Sequence, residues 1–312
     1  MLGGRAVDVR VDRIGGVPYL RFVMEQPDDH DLDEIASMSA SWALFSVETS
    51  GALQPIELPR FGSFDDDLLT ILKYPGKTNE QLTRLLVNIT RAAATNVAAD
   101  RRPLLFDPLC GRGTTIGQAL MDGFDAVGVD NDVKDVQAYG QFLETWAKTK
   151  RLKHQLDRGQ VRRDGKVLGQ RIAMRVAPTK DSFKAGDSRT VTLFAGDTTD
   201  AGEVVRKGSV DLLVADLPYG VQHGSKAAGT GRGSLERSPV ALLERALPTW
   251  LPLLHPGAAI GFAWNTHVVS RADLMACMQG FDLNVIDDEL HRRFEHRVDA
   301  SIQRDLVVAR FS

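Results

Sequence analysis

The sequence is poor in cysteine, with only two among its 312 residues, Cys110 and Cys277. Two isolated cysteines form neither a metal-binding motif nor a disulfide framework, which argues against a disulfide-stabilised fold and predicts no metal site. A low cysteine content is also typical of proteins in a reducing compartment. We therefore expect a cytoplasmic protein.

The sequence also lacks long apolar runs. No stretch of ~20 apolar residues occurs, so we expect neither a transmembrane helix nor a membrane partner. The first sixteen residues, MLGGRAVDVRVDRIGG, contain no apolar segment of the kind found in secretion signals. With 43% hydrophobic and 25% charged residues, the composition is that of an ordinary globular protein.

Positive charge is not in excess overall, because the net charge is −3. Between residues 148 and 175, however, ten Lys and Arg face only two acidic residues, Asp157 and Asp164, so this window carries about +8 and the rest of the chain about −11. Such a basic segment either follows the phosphates of a nucleic acid or forms a solvated helix and hairpin. The sequence leaves both interpretations open.

Two kinds of pattern divide the chain. Residues 1–62 alternate apolar and polar positions around Gly15 and Gly16, which predicts a small β-rich N-terminal appendage. Residues 63–312 alternate helical segments, among them an amphipathic helix over 79–94, with short apolar runs that predict a mostly parallel α/β sheet covered on both faces. This second domain has a basic insertion at about 147–190, and its tail predicts a C-terminal antiparallel hairpin.

Acidic residues end four of the predicted strands. They are Asp107, Asp130, Asp197 and Asp216. Loops at the carboxyl ends of the strands form the ligand crevice of such sheets. We therefore expect the four carboxylates to lie near one shared site.

A glycine-rich turn, FDPLCGRGTT over residues 106–115, joins the first of these strands to a helix. Gly111 and Gly113 allow the backbone to bend sharply and to approach a ligand closely. A carboxylate such as Asp130, after the next strand, can accept hydrogen bonds from both ribose hydroxyls of a nucleoside. The spacing is not that of a dinucleotide site, because Gly117 comes one residue late. The alternative is a tight strand-to-helix turn with no ligand.

This turn, followed by GVDND over residues 128–132, resembles the first two cofactor motifs of class I S-adenosylmethionine-dependent methyltransferases. The resemblance implies a Rossmann-like class I methyltransferase domain with S-adenosyl-L-methionine as the cofactor. In that family the acidic residue after the second strand holds the ribose, and the one after the third lies near the adenine. The implied cofactor contacts in this region are Asp107, Pro108, Cys110, Gly111, Gly113, Thr114, Asp130, Asn131 and Asp197.

A segment before the glycine-rich turn, YPGKTNE over residues 74–80, resembles the part of the same enzymes that touches the methionine moiety. The resemblance adds Thr78 and Asn79 to the cofactor contacts. The alternative is that one of the two simply caps the helix that follows.

A second motif, DLPYG over residues 216–220, resembles the Asp/Asn-Pro-Pro-Tyr/Phe motif of enzymes that methylate amino groups of DNA and RNA bases. Such an amine is a poor nucleophile because its lone pair is delocalised into the ring. In this interpretation the Asp216 carboxylate and the Leu217 carbonyl accept its two hydrogens, and Tyr219 stacks on an unpaired base. Pro218 completes the catalytic loop, and Leu217 stands where proline is commonest.

The DLPYG sequence is most similar to the subgroup that makes N2-methylguanosine in transfer RNA, the THUMP-associated, UPF0020-like (Trm11) family. This implies RNA as the partner and guanine N2 as the favoured target. A DNA methyltransferase acting on adenine N6 or cytosine N4 uses the same motif and is the main alternative. A non-catalytic nucleic-acid-binding module is a more distant one, and the intact acidic residues count against it.

Overall fold

The computed structural model describes residues 4–74, 77–97, 101–218 and 238–312. Contacts divide the chain into two compact units, Met1–Gly62 and Ser63–Ser312. Tyr219 and the rest of the segment up to residue 237 lie outside the described residues. Within the described ranges, no helix is long and apolar enough to cross a membrane.

From residue 4 onward, where the structure describes it, the first unit contains two antiparallel hairpins and one helix. Its elements are β1 (Val7–Ile14), β2 (Val17–Val23), α1 (Asp29–Ser37), β3 (Leu44–Val47) and β4 (Leu53–Ile56). Helix α1 was not predicted, because the alternating patterns on either side of it suggested strands alone. Its start is marked by a capping box, in which Asp28 and Asp31 each accept from the other's backbone N–H.

The second unit contains one large sheet and, among its described residues, seven helices. The strands are β5 (Leu104–Asp107), β6 (Asp125–Asp130), β7 (Lys153–Arg163), β8 (Lys166–Ala177), β9 (Arg189–Ala195), β10 (Val210–Asp216), β11 (Leu254–Asn265), β12 (Asn284–Ile286), β13 (His296–Arg297) and β14 (Gln303–Arg310). The helices are α2 (Asp67–Thr70), α3 (Glu80–Ala93), α4 (Thr114–Met121), α5 (Val133–Thr149), α6 (Lys180–Lys184), α7 (Pro239–Trp250) and α8 (Arg271–Gln279).

The ten-stranded sheet has the order β12-β14-β11-β10-β5-β6-β9-β8-β7, with β13 paired to β14. Its five central strands, from β11 to β9, are parallel. This confirms the predicted Rossmann-like α/β fold. The antiparallel ending is confirmed as well, although β14 runs between β11 and β12 and the first strand of the hairpin is only two residues long.

Helix α3 packs on one face of the sheet and brings its N-terminus to the carboxyl ends of the strands. Its buried side includes Leu86, Val87 and Thr90. A side chain at Gly261 of β11 would collide with Thr90, so the glycine permits this close approach of helix and strand. The side-chain oxygen of Asn79 accepts from the N–H groups of residues 81 and 82 and caps the helix.

The basic segment forms the long β7–β8 hairpin, which extends the sheet beyond β9. Gln170 of β8 lies opposite Ala195, the last residue of β9. Because β8 runs antiparallel to β9, residues 163–169 project past the carboxyl end of the parallel strands. Val161, close to the tip, is buried in the hydrophobic core and anchors the hairpin.

Candidate active site

A cleft of about 300 Å³ opens at the carboxyl ends of β5 and β10. Six of its lining residues were predicted from the sequence: Thr78, Asp107, Cys110, Gly111, Thr114 and Asp216. Five were not: Tyr74, Leu109, Arg112, Thr115 and Asp135. Two motifs separated by more than a hundred residues in the sequence therefore meet in one cleft.

The glycine-rich turn has the sharply bent backbone that its sequence predicts. Gly111 and Gly113 adopt φ values of +47° and +76°, in the left-handed region that favours glycine. The turn is tied to the next strand, because the Cys110 N–H donates to the Val129 carbonyl at 2.8 Å. A side chain at Gly113 would collide with the ring of Tyr139, whereas nothing lies within 4 Å of the same position at Gly111.

This difference between the two glycines gives a matched pair of variants. Gly111→Ala should destabilise the protein only through backbone strain, by about 1 kcal/mol. Gly113→Ala adds the collision with Tyr139 and should cost about 1–3 kcal/mol more. Urea denaturation of the two variants measures the difference. Equal stabilities would mean that Tyr139 does not pack on the turn as described.

Asp107 is the most buried carboxylate of the cleft, with 3% of its surface exposed. Burial raises its pKa to about 7, and the nearby carboxylates of Asp130 and Asp216 add to the rise. Hydrogen bonds from the Leu109 N–H, at 3.0 Å, and from Thr115 act in the opposite direction. At neutral pH this group is therefore balanced between its two protonation states.

Asp130 supports the turn from the end of β6. Its Oδ2 accepts from the Gly111 N–H at 2.8 Å, and its Oδ1 accepts from the Asp132 N–H at 2.8 Å. Burial raises its pKa in spite of these bonds, and the neighbouring Asp135 adds to the rise. Each carboxylate oxygen has two lone pairs, so both can still accept a hydroxyl of a bound nucleoside. Asn131 next to it is exposed.

Asp197 and Pro108 lie further along the same edge of the sheet. Burial would raise the pKa of Asp197, but the Thr199 N–H and hydroxyl, at 2.9 and 2.8 Å, hold it below the ordinary value. The Pro108 carbonyl accepts from the Thr198 hydroxyl at 2.8 Å, which joins the glycine-rich turn to this loop. Six of the predicted cofactor contacts are not among the described residues that line the cleft: Asn79, Pro108, Gly113, Asp130, Asn131 and Asp197.

Polar side chains from three segments meet at one side of the cleft. The Tyr74 and Thr114 hydroxyls are hydrogen-bonded at 3.2 Å, and the Arg112 guanidinium lies 5.0 Å from the centre of the Tyr74 ring. The Arg112 Nε donates to Asp135 at 2.8 Å. Thr114 was predicted from the sequence, and Tyr74 and Arg112 lie within the two segments that resemble cofactor motifs, whereas nothing in the sequence indicated Asp135.

The second motif lies on the other side of the cleft. The Oδ2 of Asp216 accepts from the Thr78 hydroxyl at 2.7 Å and lies 3.6 Å from a nitrogen of Arg304. The Leu217 side chain is buried in the core, and its N–H donates to the Ala263 carbonyl at 2.8 Å. Leucine therefore serves as a packing residue at this position. Pro218 is half-buried.

The charges of the cleft suit a cationic ligand. Among the described residues, three carboxylates line it, those of Asp107, Asp135 and Asp216, together with one guanidinium, that of Arg112. S-adenosylmethionine carries a sulfonium and an ammonium group against a single carboxylate, so its net positive charge complements this set. When bound, it supplies an electrophilic methyl group.

Comparison with known proteins gives one strong match and several distant ones. Residues 70–252 match the family described as the RMKL-like methyltransferase domain, UPF0020. A search of the curated proteins found no match. Among solved structures, the chain is 15% identical to TrmN from Thermus thermophilus, with a TM-score of 0.43. The match covers 83% of this chain but only 56% of TrmN.

Two further solved structures have a similar degree of likeness. An rRNA methylase from Streptococcus thermophilus is 10% identical with a TM-score of 0.39, and the match covers 77% of this chain and 97% of that one. SMU.1697c from Streptococcus mutans, solved in complex with SAH, is 10% identical with a TM-score of 0.38, covering 72% and 96% of the respective chains.

These structural likenesses are distant, and the assignment rests on the family match, which spans more than half of the chain. The chain belongs to the RMKL-like methyltransferase domain family and is an S-adenosylmethionine-dependent methyltransferase.

Proposed function

We propose that this enzyme methylates an exocyclic amine of a nucleic-acid base, with N2 of guanine in RNA, and transfer RNA first, as the favoured target. The observation that carries the proposal is the position of Asp216. It begins the DLPY motif and lines the same cleft as Asp107 and Gly111 of the glycine-rich turn. A base amine held at Asp216 would therefore be next to the cofactor.

In this proposal each motif has a separate task. Asp130 holds the ribose of the cofactor, and Asp107 faces its positively charged part. Asp216 and the Leu217 carbonyl accept the two hydrogens of the target amine, which restores a lone pair that can attack the methyl group. Tyr219, which is outside the described residues, would stack on the base. Holding the two reactants together supplies a large share of the rate.

The β7–β8 hairpin supports a nucleic acid as the substrate. Its tip carries Arg162, Arg163 and Lys166 and projects past the edge of the sheet at which the cleft opens. Arg163 is partly neutralised, because it forms ion pairs with Asp200 at 2.9 Å and Glu203 at 3.4 Å. Arg162 contacts the uncharged Gln160. Arg162 and Lys166 are therefore the better candidates for contacts with phosphates.

Nucleoside mass spectrometry of RNA and DNA from a deletion strain tests the proposed substrate. We expect N2-methylguanosine to be lost from the transfer-RNA fraction and restored by the wild-type gene. A loss of N6-methyladenine or N4-methylcytosine from DNA would support the alternative target instead. Intact levels of all three modified bases would contradict both.

Salt dependence tests the hairpin separately. Because each neutralised phosphate releases a counterion, the slope of log K against log salt should fall by roughly one unit per phosphate contact removed. We expect Arg162→Ala combined with Lys166→Ala to lower the slope for binding of total transfer RNA by roughly one to two units. Fluorescence anisotropy over a range of salt concentrations measures it.

A charge-matched control is available at the opposite ends of the parallel strands. Arg206 and Lys207 are exposed and precede β10, so they lie at the amino ends of the parallel strands. Replacing both by alanine removes the same charge and should leave the slope close to that of the parent. If both double variants behave alike, the hairpin is a solvated surface and not a phosphate-binding one.

A further inference from the structure

Asp216 is held by two side chains that are distant from it in the sequence. Thr78 precedes α3, and Arg304 lies near the start of β14. Both contacts converge on one oxygen, Oδ2, with the hydroxyl at 2.7 Å and the guanidinium nitrogen at 3.6 Å. The carboxylate is thus fixed by a neutral donor and a cation.

The sheet explains why an arginine reaches this place. Arg304 lies opposite Asn265, the last residue of β11, and is therefore at the edge where the cleft opens. Side chains alternate along a strand, so Arg304 shares a face with Leu306 and Val308. Val308 lies opposite Gly261, which α3 covers. Arg304 therefore approaches Asp216 from the same face of the sheet as Thr78.

Burial makes this contact stronger than a surface ion pair. The side chain of Arg304 is 8% exposed and that of Asp216 is 20% exposed. A buried arginine without a carboxylate partner would be costly, so the loss of either partner is unfavourable for the one that remains. Among the described residues, the carboxylate of Asp107 on β5 is a further charged group near Asp216, and the two carboxylates repel each other. Lys77, beside Thr78, is instead paired with Glu80.

We propose that Arg304 is a positioning residue for methyl transfer, which together with Thr78 orients the Asp216 carboxylate and keeps it ionised beside Asp107. The inference rests on the proposed role of Asp216 as the acceptor of the target amine. Arg304 acts through Asp216 and touches neither reactant. Its guanidinium supplies both a positive charge and a fixed direction, which lysine reproduces only in part.

Three substitutions separate charge from geometry. Arg304→Met removes the charge but keeps an apolar side chain of similar length, Arg304→Lys keeps the charge, and Thr78→Val removes the neutral donor. Arg310→Met is the matched control, because Arg310 lies on the same face at the other end of β14 and donates to the Ala93 carbonyl at 2.9 Å.

The test is single-turnover methyl transfer from labelled S-adenosylmethionine to total RNA from the deletion strain, measured over a range of pH. Arg304→Met should be slower by roughly tenfold at pH 7, with the acidic limb of its profile moved up by roughly one pH unit. Arg304→Lys should keep the acidic limb of the parent's pH profile and should lose less rate than Arg304→Met. Cofactor affinity should be unchanged in both, and Arg310→Met should change stability alone.

A double-mutant cycle tests the role of Arg304 separately from the proposed role of Asp216. In an Asp216→Ala background, Arg304→Met should cause no further loss of rate, because its effect passes through Asp216. A further loss of similar size, or an Arg304→Met enzyme with the parent's rate and pH profile, would overturn the role of Arg304. Full activity of Asp216→Ala alone would overturn the proposed function itself. If Arg304→Met does not fold, the same cycle with Asp216→Ala is measured with Arg304→Lys and with Thr78→Val.

Discussion

Replacing Asp216 by alanine should slow methyl transfer at least ~10²-fold while leaving the affinity for S-adenosylmethionine almost unchanged. In the proposed reaction, the carboxylate accepts a hydrogen of the target amine and stabilises the positive charge that develops on nitrogen as the N–C bond forms and the S–C bond breaks. The glycine-rich turn and Asp130 remain intact in this variant, so the cofactor site should be preserved.

Asp216→Asn tests the role of the negative charge more specifically than Asp216→Ala does. It keeps the shape of the side chain and one acceptor oxygen but removes the negative charge, so its rate should fall between those of the alanine variant and the parent. The measurement is single-turnover transfer to total RNA from the deletion strain at saturating cofactor.

Asp197→Ala is a suitable control for this experiment. Asp197 also follows a parallel strand, but it caps the helical turn at Thr198–Glu203 and is not among the described lining residues. At saturating cofactor its rate should match that of the parent. An Asp216→Ala enzyme as fast as Asp197→Ala would show that DLPY is an ordinary turn, and the base-amine proposal would be lost.

The sheet could be predicted well because each central strand has a recognisable sequence pattern. The runs ending at Asp107, Asp130 and Asp216 are short, apolar and buried on both faces, a pattern that few other structures produce. The turn at Gly111 and Gly113 was equally visible, since its left-handed backbone requires glycine.

Other features depend on contacts that no local pattern records. Arg304 meets Asp216 only because β14 inserts between β11 and β12, which the apolar pattern of β14 does not reveal. Tyr74 reaches Thr114 across 40 positions in the sequence. Leu217 looked like a departure from the motif, but its burial in the core gives that choice a packing reason.

The second large effect we expect is a dependence of cofactor binding on pH, caused by Asp107. Burial raises the pKa of this carboxyl to about 7 in the free protein. A cationic ligand beside it favours the ionised form, so the pKa should fall in the complex. Binding then releases a proton, and affinity should rise with pH by up to roughly tenfold per unit below pH 7 and level off above it.

Stability of the free protein should change in the opposite direction. The pKa of Asp107 is raised above the value of 3.8 that an unperturbed aspartate has. Its contribution to stability is therefore fully present below about pH 4 and is lost as the pH rises through 7. Thermal melts between pH 5 and 8 measure this effect. As the pH rises, the melting temperature of the parent should fall relative to that of Asp107→Asn.

Isothermal titration of S-adenosylmethionine between pH 5 and 8 measures the binding effect, which should reach roughly 10²-fold over this range. Asp107→Asn should bind with little dependence on pH. Titration of the cofactor's own amino group affects both proteins equally and cancels in the comparison. Asp197→Asn is the control, because hydrogen bonds from Thr199 keep the pKa of Asp197 low and the group ionised across the range. If Asp107→Asn retains the slope of the parent, another group titrates on binding and Asp107 does not face the cationic part of the cofactor.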